Sequence, residues 1–152
     1  MYNTLLQLSR NIFFYKSIEL DDSYETRIYL MFFHYSIMLF ITKNKESKTD
    51  QENYNNLFFN IENNLRELGF GDVSVNKKMK DLNKIFYDIL IKLSEKKSVF
   101  KLNKSLIAKY FEKLKNNNEK IDKLELYFNN FHNFCFELTA DNMIKEVQKF
   151  RY

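Results

Sequence analysis

The sequence predicts an all-α protein, a single-domain helical bundle of about six helices over residues 1–152. The chain has no proline and only two glycines, so it lacks the residues that β-hairpins, sandwiches and barrels need in number for their turns. Apolar residues recur at spacings of three and four, which is the period of amphipathic helices. A chain of this length buries enough surface for one core, which favours a single domain.

The composition excludes several classes of protein. A hydrophobic fraction of 45%, with 17% aromatic residues, is too high for a disordered chain. A single cysteine cannot form an internal disulfide, which argues against a small secreted domain and favours a reducing compartment. The first residues show neither a secretory signal nor an Arg-rich presequence, so we expect a cytoplasmic protein.

The first two helices follow from apolar spacing and from capping residues. A helix is predicted from about Thr4 to Tyr15, with a buried stripe of Leu5, Leu8, Ile12 and Tyr15. Residues 21–23 (Asp-Asp-Ser) offer N-cap oxygens for a second helix that ends near residue 42. Its segment 28–41 is the most apolar run of the chain. A membrane span needs about 20 apolar residues, so we interpret this run as the central helix of the bundle.

A third helix is predicted to begin at a capping box, residues 49–52 (Thr-Asp-Gln-Glu), and to end just before Gly69, the expected left-handed C-cap. Its predicted buried stripe is Tyr54, Leu57, Phe58, Ile61 and Leu65. Both glycines lie within residues 69–73, which predicts the sharpest turn of the chain there.

Asp72 or Ser74 is predicted to cap a fourth helix that runs to about residue 95. Its inward positions are Val75, Met79, Leu82, Ile85, Phe86, Ile89 and Leu93. Lys77, Lys80 and Lys84 lie on a different face and form a basic edge. The remaining helices are predicted over about 102–114, 119–136 and from Thr139 or Asp141 to Phe150, with a break at the three asparagines 116–118.

No catalytic, metal or cofactor site is predicted. His132 and Cys135 are spaced to share a helix face, but the other histidine, His34, lies far away in sequence and there is no second cysteine. The pair is therefore interpreted as core or rim. Gly69 and Gly71 follow a helix and lack the third glycine and the P-loop Lys-Ser/Thr, so they do not form a nucleotide loop. Among the basic residues, a solvated helix face is the simpler interpretation, since the net charge is only +4.

Residues 65–80 read LRELGFGDVSVNKKMK. This segment resembles the signature of the ubiquinol-cytochrome c chaperone family, bacterial relatives of the mitochondrial assembly factor for cytochrome b, whose members read Leu-Arg-Glu-(Leu/Met)-Gly-x-Gly-Asp and then Val-x-Lys-Lys-(Met/Val)-Lys. Upstream, Phe14-Tyr15, Asp22-Ser23, Arg27 and the helix containing His34 are similar to the family's order of motifs. The resemblance covers about residues 10–93, and the helices over 98–152 are expected to complete the bundle.

The resemblance departs from the family at residues 88–89. After Phe86 and Tyr87 the family has Gly-Arg, whereas this chain has Asp88-Ile89.

The resemblance implies an all-helical, non-enzymatic chaperone that binds newly made cytochrome b and assists assembly of the cytochrome bc1 complex. The mitochondrial relatives work with a small partner protein and dock near the ribosomal tunnel exit, so both are possible partners, while DNA is not expected. The resemblance also implies a place in the cytoplasm, with peripheral contact to the inner membrane. The motif suggests Arg66, Glu67, Asp72, Lys77, Lys78 and Lys80 as partner-binding residues and Asp22, Arg27, Gly69 and Gly71 as structural ones.

Two further hypotheses come from residue chemistry. The first helix and the apolar helix over 28–41 are the best candidates for the walls of a groove that accepts a client helix. The alternative function is a ribosome- or RNA-binding module, motivated by a pI of about 9.0 and by the basic edge at Lys77, Lys80 and Lys84. An enzyme is the weakest of the three classes, because no nucleophile, base or metal set converges.

Overall fold

The computed structural model describes residues 1–45, 51–94 and 100–152, and every regular element in them is helical. The α-helices are α1 Tyr2–Ser9, α2 Ile12–Lys16, α3 Tyr24–Asn44, α4 Gln51–Glu67, α5 Asp72–Ser94, α6 Lys104–Tyr110, α7 Asn118–Phe136 and α8 Met143–Glu146. Short 3₁₀ turns at Glu112–Leu114 and Val147–Lys149 follow α6 and α8. Because every regular element in the described part of the chain is helical, the predicted all-α class is confirmed. Six of these helices have seven or more residues.

Helix α3 is the centre of the bundle. It packs against α1, α5 and α7, and its side chains are buried almost all the way round. The helix begins where predicted, because the Ser23 side chain accepts a hydrogen bond from the backbone N–H of Thr26 at 3.2 Å. A helix that is apolar on every side belongs in the interior of a bundle, and that is where the structure places it.

Helices α4 and α5 form an antiparallel hairpin against α3. The predicted stripe of α4 is largely buried, and Phe58 meets Phe32 of α3 and Phe86 of α5 with ring centroids 5.6 Å away in each case. The predicted capping box begins at Thr49 and Asp50, which lie outside the described residues. The hairpin thus buries the inner faces of both helices and leaves its turn at one end of the bundle.

The first predicted helix is wrong in one respect: the structure divides it into α1 and α2. The Asn11 side chain accepts a hydrogen bond from the N–H of Phe13 and begins a new helix there, and the Tyr15 hydroxyl donates to the carbonyl of Ser9 at 2.7 Å. This change of direction turns Ile12 outward, 60% exposed, and buries Phe14 in its place.

The C-terminal helices differ from the predictions in a similar way. The helix predicted over 102–114 ends at Tyr110, because Phe111 adopts φ −118° and ψ 70°, and a 3₁₀ turn completes the segment. The predicted break before α7 is confirmed, since the Asn117 side chain accepts from the N–H of Lys120. The last predicted helix is shorter than expected and consists of α8 and its 3₁₀ turn. None of the helices in the described ranges has the length and apolarity that crossing a membrane requires.

Candidate functional site

The turn between α4 and α5 is built on Gly69. Its φ is +93°, a conformation that L side chains rarely adopt. The N–H of Gly69 donates to the carbonyl of Arg66 at 3.0 Å, and the N–H of Phe70 donates to the carbonyl of Leu65 at 3.3 Å. These two bonds are those of a Schellman motif, so the predicted glycine C-cap of α4 is confirmed.

The roles predicted for Gly71 and Asp72 need correction. Gly71 does not have a positive φ, and a Cβ placed on it would meet no atom within 4 Å, so the turn does not require glycine there. Helix α5 begins at Asp72, and the first helical bond runs from the N–H of Val75 to the carbonyl of Gly71 at 2.9 Å. Asp72 therefore lies in the first turn, where its charge suits the helix dipole, and is not the N-cap.

Arg66 holds the turn closed from the outside. Its guanidinium donates to the carboxylate of Asp72 on the far side of the turn and to Glu62 at 2.9 Å on its own helix. The hydrogen bonds with Glu62 and Asp72 raise the pKa of Arg66 above its usual range. The structure thus brings Arg66 and Asp72, two residues of the motif, together in an ion pair that braces the turn.

The three predicted lysines follow Asp72 along α5. Lys77 and Lys80 are exposed, while the ammonium of Lys78 lies over the ring of Phe70, 4.6 Å from its centroid. In the described part of the structure, no carboxylate pairs with any of the three. They form a basic region immediately behind the turn.

Three exposed apolar side chains at the same turn are absent from the sequence predictions: Leu68, Phe70 and Val73. Val73 falls off the buried stripe of α5, whereas Leu68 continues the spacing of the α4 stripe past the end of that helix. We call Leu68, Phe70 and Val73 the apolar tip.

A cleft of about 350 Å³ lies beside the turn, between α1, α3 and the end of α4. Its walls are the helices that the sequence analysis suggested for a client groove, joined by α4. Apolar and charged side chains both line it, among them Leu6, Arg10, Arg27, Ile28, Met31 and Glu67. The predicted residue Glu67 therefore faces the cleft and takes no part in the Arg66 pair.

Asp22 and Arg27, two of the upstream motif residues, meet at the cleft's edge. The guanidinium of Arg27 donates to the carboxylate of Asp22 at 2.8 Å. This bond spans the start of α3 and places Arg27 on the cleft wall. Motif residues that are about forty positions apart in sequence thus border one cavity.

The family model described as ubiquinol-cytochrome C chaperone matches residues 16–141. The chain belongs to the ubiquinol-cytochrome c chaperone family. The match continues well past residue 93, where the motif resemblance fades, and so includes α6 and α7. No curated protein and no solved structure matches the chain. Membership of this family indicates a chaperone role in assembly of the bc1 complex.

In this member of the ubiquinol-cytochrome c chaperone family, the motif histidine His34 is a buried core residue. Its Nδ1–H donates to the carbonyl of Leu30 at 2.6 Å, so its Nε2 accepts from the hydroxyl of Tyr127, at 2.9 Å. Burial lowers the pKa of His34 to about 4, although the bond to Leu30 opposes the shift. The neutral ring joins α3 to α7.

The other candidate ligands are also structural. Cys135 is fully buried, and burial raises the pKa of its thiol. His132 stacks on Phe100 with ring centroids 4.3 Å apart. Across the described ranges, no three side chains of His, Cys, Asp or Glu come together to hold a metal ion.

Asp88, where the chain departs from the ubiquinol-cytochrome c chaperone family pattern, connects two helices. Its carboxylate accepts hydrogen bonds from Lys109 at 2.8 Å and from the hydroxyl of Tyr110, both on α6, and pairs with Lys92 at 3.0 Å. Burial raises the pKa of Asp88, but these hydrogen bonds outweigh it and hold the pKa well below its usual range. The position therefore fastens α5 to α6.

Proposed function

We propose that the protein is a non-enzymatic assembly factor that binds newly made cytochrome b at the cytoplasmic face of the inner membrane and assists its entry into the bc1 complex. Membership of the ubiquinol-cytochrome c chaperone family supports a role in bc1 assembly. The binding of cytochrome b is proposed from the cleft beside the α4–α5 turn. Arg27 and Glu67, which belong to the two motif segments, both line this cleft.

The cleft suits a segment of a membrane protein. Leu6 offers apolar contact above a floor of buried Ile28 and Met31, and the charges of Arg10 and Glu67 lie beside it. A cavity of about 350 Å³ accepts a few side chains and not a whole helix. We therefore expect one face of a client helix, with its polar flank, to dock there in the helix-in-groove mode.

The turn adjoining the cleft is proposed as the second contact. The Arg66–Asp72 pair fixes its shape, and Lys77, Lys78 and Lys80 present positive charge complementary to acidic loops of a partner. In this proposal Arg66, Glu67, Asp72 and the three lysines are partner-binding residues, as the motif suggests. A small partner subunit would use the same face.

A pull-down from the native organism tests the proposal. Tagged wild-type protein is expected to recover cytochrome b, and the variant Arg10→Glu/Glu67→Lys is expected to recover several times less, because both charges at the cleft are reversed while the net charge is kept. The matched control is Lys16→Glu/Glu112→Lys, which exchanges the same charges at exposed positions away from the cleft. Equal recovery by all three proteins contradicts a role for the cleft.

A deletion strain tests the function itself. We expect lower bc1 content and lower cytochrome b haem absorbance, restored by the wild-type gene. Unchanged content contradicts the assembly role. The exposed row Lys77, Lys80 and Lys84 supports the alternative of a ribosome- or RNA-binding module. Recovery of ribosomal proteins without cytochrome b, with binding that falls steeply with salt, would favour that alternative.

A further inference from the structure

We propose that the end of the α4–α5 hairpin binds the surface of an anionic phospholipid bilayer. The apolar tip enters the headgroup region, and Lys77, Lys78 and Lys80 contact the lipid phosphates. The inference takes only its cellular setting from the proposed function, since a chaperone for a membrane-embedded client works at a bilayer. The contact itself is argued from the residues of the hairpin.

The apolar tip exposes three apolar side chains to solvent. Val73 is 85% exposed, Leu68 60% and Phe70 38%, and all three lie within six residues of chain. The turn rigidly presents them, because Gly69 sets its backbone and the Arg66–Asp72 pair braces it. Several large apolar side chains grouped on a surface mark a place of contact with a partner or a membrane.

The order of apolar and basic residues along α5 matches the layers of a bilayer surface. Val73, Lys77, Lys80 and Lys84 are spaced by four, three and four residues and so lie on one line along the helix. With a rise of 1.5 Å per residue, Lys77 lies about 6 Å and Lys80 about 10 Å behind Val73. Interfacial apolar side chains enter the headgroup boundary by about 5–10 Å, which brings these lysines to the phosphates.

The acidic residues nearby leave the basic charge dominant. Asp72 at the turn is paired with Arg66, and Glu67 faces the cleft. Asp81 is exposed four residues after Lys77 and three before Lys84, so it offsets part of the charge of the four lysines Lys77, Lys78, Lys80 and Lys84. No ion pair involves Lys77, Lys78, Lys80 or Lys84 in the described residues, so their charge is available to anionic headgroups.

A bilayer would bind both the apolar tip and the lysines, whereas RNA would bind only the lysines. Phosphates of RNA would attract the lysines, but they give no role to Leu68 and Val73. Aromatic rings bind RNA by stacking on bases. The ring of Phe70 is instead covered on one face by the ammonium of Lys78.

A tryptophan reporter tests insertion directly. The chain contains no tryptophan, so Val73→Trp supplies the sole one. We expect its emission to shift to the blue, and to be quenched by brominated lipid, with vesicles that contain phosphatidylglycerol but not with vesicles of phosphatidylcholine alone. Leu126→Trp, at an exposed apolar position of α7, is the matched control and should stay water-exposed. Unchanged emission of Val73→Trp on anionic vesicles overturns the proposal.

Vesicle flotation tests the energetics. Because each lysine near an anionic surface adds to binding, Lys77/Lys78/Lys80→Gln should lose on the order of a hundredfold in partition coefficient. Leu68/Val73→Ser should lose about tenfold. The controls Lys16/Lys115/Lys145→Gln and Ile12/Leu126→Ser change exposed residues elsewhere and should bind like wild type.

Two outcomes overturn the proposal. The first is no binding of the wild type to anionic vesicles, and salt-sensitive binding to a ribosomal RNA fragment would then point to RNA instead. The second is wild-type binding by both the lysine variant and Leu68/Val73→Ser. No client is present in these assays. Vesicle binding that fails therefore leaves the capture of cytochrome b standing, and capture that fails leaves the lipid contact standing.

Discussion

Gly69 and Gly71 are two residues apart, and the structure gives them different roles. Gly69 needs a positive φ, which costs an L-residue roughly 1–2 kcal/mol, whereas Gly71 does not. We expect Gly69→Ala to lower the free energy of unfolding by about 1–2 kcal/mol in urea denaturation. Gly71→Ala should change it by less than about 0.5 kcal/mol, since the gain in unfolded-state entropy offsets the weaker N-cap. Equal losses in the two variants would show that the turn is not built as described.

His34 gives the protein a pH-dependent stability. Its pKa is about 4 in the folded protein and 6.5 in the unfolded chain. Between these values the unfolded chain binds a proton that the folded chain does not. The contribution of His34 to the free energy of unfolding should therefore be fully present above pH 6.5. It should decrease as the pH drops toward 4, by at most about 1.4 kcal/mol per pH unit.

Urea midpoints measured across this pH window check the prediction for His34. The dependence should be weaker in His34→Gln, while His132→Gln keeps the contribution of His34. NMR titration of the wild type gives a second measurement that does not depend on how well the variants fold. Protonation of the His34 ring near its ordinary pKa would contradict the buried, neutral ring described above.

At the scale of elements, Asp88 joins α5 to α6 through Lys109 and Tyr110. Hydrogen bonds to a charged group typically contribute about 1.5–3 kcal/mol, so we expect Asp88→Asn to destabilise the protein by an amount of that order. Tyr110→Phe should cost about 1 kcal/mol alone and much less in the Asp88→Asn background. Glu112→Gln, an exposed change in the adjoining 3₁₀ turn, is the control and should be neutral. Additive effects of Asp88→Asn and Tyr110→Phe would contradict the link.

The elements that the sequence predicted well have local signals at their ends. Ser23 begins α3 and Gly69 ends α4, each through a bond to a backbone group a few residues away. At the division between α1 and α2 the local signal is Asn11, whose side chain caps α2, but the apolar spacing does not reveal it. The helical spacing continues through Asn11, and the direction of α2 depends on Phe14 packing against Tyr127, 4.7 Å away between ring centroids and more than a hundred residues later. Local pattern alone does not contain that contact.

The same distinction applies to the candidate site: its local features could be predicted from the sequence, and those that depend on long-range packing could not. The meeting of Arg66 and Asp72 was predictable, because a turn at Gly69 returns the chain within a few residues. The cleft was predictable only in part. Two of its walls were suggested from apolar pattern, but the place of Glu67 on a third wall depends on how α4 crosses α1 and α3. The apolar tip was predictable only at Val73, because Leu68 continues the spacing of the buried α4 stripe.

At the scale of the whole molecule, α3 lies at the centre of a single hydrophobic core. It contacts α1, α5 and α7, and the side chains of these four helices form one buried cluster. The described residues therefore form a single helical domain, although the motif that first pointed to the family occupies only a short part of it. The docking surfaces proposed above all lie on the side where α1, α3, α4 and the turn to α5 meet.

The bond between His34 and Tyr127 also bears on how the protein is made. It spans 93 residues, and the rings that pack on His34 include Phe128 and Phe131 of α7. During synthesis α3 therefore leaves the ribosome well before the helix that covers this side of it. A nascent chain that stops before α7 exposes the apolar residues of α3 and is prone to aggregate. A protein proposed to protect a newly made membrane protein thus passes through a similar hazard in its own biogenesis.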